Sequence, residues 1–392
     1  MDKQQEPRLR FKGFTGAWEE KRLSDVVEIV GGGTPDTNNS AYWGGEIDWY
    51  SPTEIGENVY ANGSIRKITL LGLQKSSAVI LPADRTVLFT SRASIGDMAI
   101  LTKQGATNQG FQSFIVREGL NIYFLYTMGF KIKEYALKNA SGSTFLEISK
   151  TQLLQMESLF PSLTEQTHLG LFFRRLDSQI AESRAVLEKN HQLKKAMLAK
   201  MFPTNGEKIP KIRFKGFEGE WKREILKDVV NVFDNLRIPV SENKRTSGNT
   251  PYFGANGIQD YVDGFTHNGE FVLIAEDGAN DLKNYPVQYV NGKCWVNNHA
   301  HVLQGKSEIL NNIFLFSRFQ SMDISQFLVG GGRAKLNGST MLEIEIEFPK
   351  DKKEQTAIGL FFRQLDETIA LQTAEVEKLN QLKKGLLAAM VV

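Results

Sequence analysis

Residues 165–181 read EQTHLGLFFRRLDSQIA, and residues 354–370 read EQTAIGLFFRQLDETIA. The two agree at 12 of 17 positions at a constant offset of 189, and that offset also carries EKNHQLKK at 188–195 onto EKLNQLKK at 377–384. Apolar residues of the first copy fall at Leu169, Phe172, Phe173, Leu176, Ile180, Leu187, Leu193 and Met197. Steps of mostly three and four residues place them on one stripe of an amphipathic helix. Residues 163–201 contain no proline, and Pro203 with Asn205-Gly206 ends the pattern. The second copy runs through Ile358, Phe361, Phe362, Leu365, Ile369, Val376, Leu379, Leu382 and Leu386 to the C-terminus. Each helix would hold about 39 residues and span roughly 58 Å. Ser162 with Glu165, and Asp351 with Glu354, have the spacing of a capping box.

A helix of that length with an apolar stripe needs a partner. The simplest arrangement is an antiparallel coiled-coil pair, with Leu169, Phe173, Leu176, Ile180 and Leu187 of the first copy facing Ile358, Phe362, Leu365, Ile369 and Val376 of the second. The plainer alternative is two core helices, each inside its own domain, which polar Ser183 and Asn190 on the stripe favour slightly.

Upstream of each helix lies a second repeated box. RFKGFTGAWEEKRLSDVV at 10–27 matches RFKGFEGEWKREILKDVV at 213–230 at 11 of 18 positions, with an offset of 203. Each half of the chain therefore has an opening box, a middle and a closing helix. The first middle, about 28–164, is 14 residues longer than the second, about 231–353, and they share little alignable identity. One frame kept twice around divergent contents implies one scaffold task and two different recognition tasks. Short β-branched and aromatic runs predict strands at 46–50, 86–90, 98–101 and 112–116 in the first middle, and at 271–275, 287–290 and 300–303 in the second. Residues 121–137 and 311–319 read as helices. Both middles are read as mixed α/β domains.

Composition sets the outer limits. The 392 residues allow two or three domains. A hydrophobic content of 41% and a charged content of 23% are those of a folded globular chain. Forty-seven basic against 45 acidic residues give a net charge of +2, which excludes a polybasic coat but not a local basic face. The single cysteine, Cys294, excludes an intrachain disulfide, and one cysteine with five scattered histidines is too little for structural zinc. The start, MDKQQEPRLRF, has no apolar stretch of a secretory leader, and no run approaches a membrane span, so a cytoplasmic location is the expectation.

The whole pattern resembles the specificity subunit of type I restriction–modification systems. The residues that carry the resemblance are the two opening boxes, the two EQ…GLFFR boxes, GGGTP at 31–35, YWGGEIDWYSP at 42–52, PYFGANGIQDYVD at 251–263, FVLIAEDGAN at 271–280 and NNHAHVL at 297–303. Each motif alone is weakly specific; their order and duplication are highly specific, and they cover essentially the full chain. The resemblance implies two globular target recognition domains of mixed α/β fold, joined by two long antiparallel coiled-coil helices in a pseudo-twofold duplication. The corresponding division is 1–161 and 210–349 for the domains, with helices and linkers at 162–209 and 350–392. It further implies that each domain reads half of a split, asymmetric site in double-stranded DNA, while the helices set the spacer and dock methyltransferase subunits. Restriction/translocase subunits would complete the complex. S-adenosylmethionine, ATP and magnesium belong on those partners, no cofactor is expected on this chain, and the methylated base is implied to be adenine. The competing reading is a structural coiled-coil adapter without sequence-specific DNA binding.

No catalytic motif is recognisable in the chain itself. The Asn-Pro-Pro-Tyr type motif that such methyltransferases need is missing, and Gly31-Gly32-Gly33 is not followed by Gly-Lys-Ser/Thr. Asp36 lacks a following Glu-x-Lys or Asp-x-Lys of a nuclease site. His299 and His301 alternate and could share a strand face, too few for a metal by themselves. Cys294 reads as packed. The chain is expected to be a non-catalytic subunit.

DNA contacts are expected from Arg, Lys, Asn, Gln, Ser and Thr in loops at strand ends. In the first domain these are Thr34, Thr90, Ser91, Arg92, Asn108, Gln109, Ser141, Ser143 and Thr144. In the second they are Tyr252, Asn256, Asn297, Asn298, His299, Arg333, Lys335 and Asn337. The loops 141–144 and 330–339 each precede a closing helix, which suggests a shared role. Trp43, Trp49, Tyr252 and Phe253 lean toward core. Lys194, Lys195, Lys383 and Lys384 form a basic step in each helix, available to phosphate or partner, or simply solvated.

Overall fold

The computed structural model describes residues 6–142, 146–204, 206–330 and 334–392. It divides into two compact units, one of Met1–Arg184 with Glu375–Val392 and one of Ala185–Ala374. Each unit thus takes a globular domain and a segment from each of the two long helices.

The long helices are Leu163–Met201 and Lys352–Met390. Glu165 and Glu354 leave the capping boxes open. Glu165 N–H still bonds Ser162 Oγ at 3.3 Å, and Lys353 N–H bonds Asp351 Oδ1 at 2.8 Å. The glutamate side chains turn instead to the opening boxes. Arg10 grips Glu165 through Nε and Nη2 at 2.7 Å each, and its Nη1 donates to Gly16 O at 2.6 Å. Arg213 repeats this on Glu354, at 2.7 Å twice, with Nη1 on Gly219 O at 2.6 Å. The next residue ties the helix to its domain: Gln166 Oε1 accepts from Asn121 N–H at 2.9 Å, and Gln355 Oε1 from Asn311 N–H at 2.8 Å. Asn121 and Asn311 are themselves side-chain caps of the domain helices Ile122–Thr127 and Asn312–Ser321. The repeated Glu-Gln pair is therefore the bolt between frame and domain.

Gly170 and Gly359 let that domain helix cross close by. A β-carbon at Gly359 would stand 2.5 Å from Ile313 Cγ2 and 2.9 Å from Phe314 N. Gly359→Val is expected to force the helices apart and destabilise the second unit by about 2–3 kcal/mol, visible as a lower urea midpoint.

In the first unit, Glu19–Arg22 pairs antiparallel with Glu157–Phe160, closing the domain just before the helix. A five-stranded sheet runs in the spatial order Val27–Gly31, Gln112–Val116, Thr86–Phe89, Met98–Leu101, Tyr60–Ala61, beside a three-stranded sheet of Arg66–Ile68, Trp43–Tyr50 and Gly105–Thr107. The expected 121–137 helix is two, Ile122–Thr127 and Gly129–Asn139. The second unit pairs Lys222–Ile225 with Glu345–Phe348 in the same way. Its six-stranded sheet runs Val230–Val232, Ala300–Gly305, His267–Ala275, Val287–Val296, Ser247–Gly254, Gly257–Val262.

The expected helix seam is divided between two jobs. Leu169, Phe173, Leu176 and Ile180 lie in the first domain's core, and Ile358 and Phe362 in the second's, with Leu365 also buried. Leu187, Ile369 and Val376 are only half-buried. So the first turns of each helix are core of the domain they follow, as in the plainer alternative. The end of the other helix completes each unit: Met390 and Val391 enter the first core, Met201 and Phe202 the second. Where helix meets helix, polar pairs run antiparallel alongside the apolar packing. In the first unit Asp177 pairs with Lys383 at 2.5 Å and Arg184 with Asn380 at 3.2 Å. In the second Lys194 pairs with Asp366 at 2.5 Å and Asn190 with Gln372 at 3.0 Å. Lys194 and Lys383 are thereby committed to the pairing, while Lys195 and Lys384 stay exposed.

Candidate nucleic-acid interface

Three loops meet at one place in each domain. In the first, the turn after strand Thr86–Phe89 receives Gly110 from one side, with Ser91 N–H on Gly110 O at 2.8 Å, and the 141–148 loop from the other, with Ile148 N–H on Ser91 O at 3.0 Å. In the second, Glu276 N–H bonds His299 O at 2.8 Å and Leu336 N–H bonds Glu276 O at 2.7 Å. Left-handed residues make both turns, Ala93 at φ 63° and Gly278 at φ 70°. Both neighbouring loops are Asx turns: Asn108 Oδ1 accepts from Gly110 N–H, and Asn297 Oδ1 from His299 N–H, each at 2.8 Å. The last loop carries a two-residue bridge in each copy, Ser141 with Glu147 and Val329 with Lys335. Middles that share little sequence thus build one loop-built head twice.

Several expected contact residues build this head rather than face out of it. Thr90 is buried, its hydroxyl on Ser94 O at 2.5 Å and taking Asp97 N–H at 2.9 Å. Ser91 is buried beside it, and Asn297 is buried within its turn. Tyr252 is 1% exposed, its hydroxyl on Val240 and its ring under Arg245 at 4.2 Å, so the core reading of it holds. Asn108 is half-buried in its turn. Asn256 is exposed but spends its amide holding the 278–280 turn, giving to Gly278 O and taking Asn280 N–H at 2.9 Å each. Asn337 begins the short helix Gly338–Leu342. Ser143, Thr144 and Arg333 lie outside the described residues.

The side chains on the open rim are Gln109, Ser141 and half-buried Arg92 in the first head, and Asn298 with half-buried His299 and Lys335 in the second. Thr34 donates to Gln109 Oε1 and presets its amide. Lys335 reaches Glu276 at 2.9 Å, and His299 Nδ1 contacts the Asp277 carboxylate. Beside the second head a groove of 750 Å³ is lined by Asn256, Asn280, Asn284 and Gln288 with His191 and Lys195 of the helix.

Sequence reading missed Glu147, Asp277 and the ion network under the second head. Asp234, Glu276 and His301 bring their ligating atoms within 4.8 Å of one another, the geometry of a metal trio. Its chemistry argues otherwise. Arg237 pairs with Glu276 at 2.6 Å and Asp234 at 3.4 Å, and Lys335 adds a second cation. His301 meets Asp234 Oδ2 at 2.6 Å and Leu336 O at 2.9 Å, so both ring nitrogens are already engaged within the protein. Burial alone would raise the Glu276 pKa, but the hydrogen bonds from Lys335 and Arg237 outweigh it and hold the carboxyl below its ordinary value. The trio is a structural ion network, and His301, buried, does not share an open face with His299. The signal available in sequence was the Glu-Asp-Gly at 276–278, a turn with two acids entering it.

The chain is thus a duplicated frame carrying two copies of one loop-built head, each with different rim residues. The model of the type I restriction modification DNA specificity domain matches residues 16–190 and again 218–381, and the chain belongs to that family. A type I restriction enzyme specificity subunit of Escherichia coli, EcoprrI, is 25% identical over 348 residues, 85% of this chain and 84% of that one. A putative type I specificity subunit of Haemophilus influenzae is 52% identical over 134 residues, and the MjaIX specificity subunit of Methanocaldococcus jannaschii is 36% identical over 180. Those two matches span only 34% and 41% of the relatives' own length. The crystal structure of a type I restriction–modification S subunit from M. genitalium has the same fold, with a TM-score of 0.72 over 99% of both chains at 13% identity. No helix among the described residues is long and apolar enough to cross a membrane.

Proposed function

We propose that this chain is the DNA-recognition subunit of a type I restriction–modification complex. Each domain reads one half of a bipartite, asymmetric site in double-stranded DNA, and the paired helices set the spacer between halves and dock methyltransferase subunits. Restriction/translocase subunits join the same assembly. The chain performs no chemistry; S-adenosylmethionine, ATP and magnesium serve the partner subunits, and the complex works in the cytoplasm.

One observation carries this reading. The two heads share their backbone hydrogen bonds while their rim residues differ, Arg92 and Gln109 against His299, Asn298 and Lys335. A spacer or adapter has no need of two heads with one backbone and two chemistries. Groove-edge readout by Arg, Asn, Gln and His side chains on a fixed frame does.

The test is single-molecule sequencing of genomic DNA from cells carrying this chain with its methyltransferase subunit, against cells lacking only this chain. A methylated split motif that vanishes in the control is expected. Exchange of residues 231–353 for another family member's middle is expected to change one half of the motif and keep the other. Methylation that is the same in both strains would overturn the reading.

A further inference from the structure

The two heads can be compared position by position, because their backbone bonds match. Ser91 corresponds to Glu276, since each donates to the neighbouring loop and accepts from the residue before the N-cap of a short helix, Ile148 ahead of Lys150–Leu154 and Leu336 ahead of Gly338–Leu342. The next residues, Arg92 and Asp277, then occupy one place, and each forms an isolated bridge, Arg92 with Glu147 and Asp277 with Lys335. The charges on this bridge are reversed between the heads. Gly110 corresponds to His299, since each follows its Asx turn and supplies the carbonyl to Ser91 or Glu276.

Space decides what stands over that loop. A β-carbon on Gly110 would lie 2.8 Å from Pro52 Cγ, 3.0 Å from Asn108 Oδ1 and 3.5 Å from Arg92 Nε. In the first head the space above the glycine is closed by Pro52 and Asn108, with the Arg92 side chain lying against it. In the second head the residue before the left-handed turn is Asp277, and the volume belongs to the imidazole of His299. The acid that replaces arginine holds the ring. A carboxylate only accepts, so Nδ1 of His299 carries the proton toward Asp277. The ring is 38% exposed, and Nε2 is the nitrogen it offers to a ligand.

We infer that Arg92 and His299 are equivalent specificity-determining residues, each reading one base position of its own half-site from the same place in the head, with Asp277 as the residue that positions His299. This rests on the reading of the heads as DNA-recognition surfaces. Arginine offers paired donors suited to guanine O6 and N7, whereas imidazole offers a single nitrogen, so the two heads discriminate differently at this position.

The experiment uses the full chain with its methyltransferase subunit in cells, with the methylated motif of the genome as readout. His299→Ala is expected to make one position of one half-site degenerate, by roughly tenfold in relative methylation, a loss within the range of one base contact. Arg92→Ala is expected to do the same in the other half-site. Asp277→Ala should relax the same position as His299→Ala, and Asp277→Asn, which still accepts from Nδ1, should retain specificity. Arg92→Lys, which cannot form the paired contact, should not rescue. His299→Gln, which is polar and of similar size, covers the case in which the alanine variant does not fold. An unchanged motif in the His299 and Arg92 variants would overturn the inference, as would a uniform loss of methylation with normal melting, or relaxation of the same half by both. If the wild-type chain directs no split motif, the recognition reading itself falls, and this inference with it.

Discussion

Glu354→Ala is expected to destabilise the second unit by about 3 kcal/mol, the low end for breaking a buried ion pair from one side. Glu354 is 1% exposed and takes both forks of Arg213 at 2.7 Å. The guanidinium also donates to Gly219 O at 2.6 Å and Glu218 O at 2.9 Å, so it cannot swing to solvent without surrendering the opening box. Removing the carboxylate leaves a fixed cation with only carbonyl partners in a site it does not leave cheaply. Amide exchange across 213–221 and at the start of the long helix should rise together, because one contact holds both. Glu354→Gln keeps one acceptor and should cost less than the alanine variant. Glu165→Ala should repeat the result in the first unit through Arg10, whose pKa is raised chiefly by its hydrogen bonds to Glu165.

Asp177→Ala is the second large effect, and the duplication supplies its control. Asp177 is buried and accepts from Tyr123 Oη at 2.8 Å and from Lys383 Nζ at 2.5 Å. Burial first, and the adjoining Asp177 charge second, push the Tyr123 hydroxyl pKa well up, so the phenol stays a donor with nothing else to give to. The substitution leaves a buried hydroxyl and a half-buried ammonium without their acceptor, worth about 2–3 kcal/mol. It should also free the end of the second long helix, with faster amide exchange over 379–390 while the core strands of the first domain stay protected. The equivalent pair, Lys194 with Asp366, has the same 2.5 Å separation, but the position of Tyr123 in the second domain helix is taken by Ile313, which has no hydroxyl to give, and both partners are 20–29% exposed. Asp366→Ala should therefore cost only about 1 kcal/mol. Equal losses at the two sites would show that the tyrosine bond contributes nothing.

The same frame shows where sequence reading reached and where it stopped. The first long helix, Leu163–Met201, is the proline-free stretch read from the sequence, and the second, Lys352–Met390, ends two residues short of the expected C-terminus, because apolar spacing and the absence of proline are local properties. The expected strand runs all lie within observed strands, save Thr90, one residue past the end of Thr86–Phe89, for the same kind of reason. The use of the capping glutamates was not legible. A Ser-x-x-Glu spacing looks the same whether the acid bonds its own helix or an arginine 155 residues upstream, as Glu165 does. Nor was the burial of Thr90, Ser91 and Asn297, since a polar residue at a strand end can face solvent or close its own turn, and only the packed partner decides.

The repeats alone determined that this protein is one frame used twice, with two long helices and two dissimilar middles. Repetition and periodicity are written along the chain and need no partner to be read. Only the tertiary structure decided that those middles carry the same head. The likeness resides in backbone hydrogen bonds between loops far apart in sequence, and Ser91 and Glu276, or Gly110 and His299, can serve it equally because the bonding groups are main-chain N–H and C=O. Side-chain identity was free to diverge at the rim while that lattice stayed, and the lattice sets Arg92 against Asp277 and Gly110 against His299.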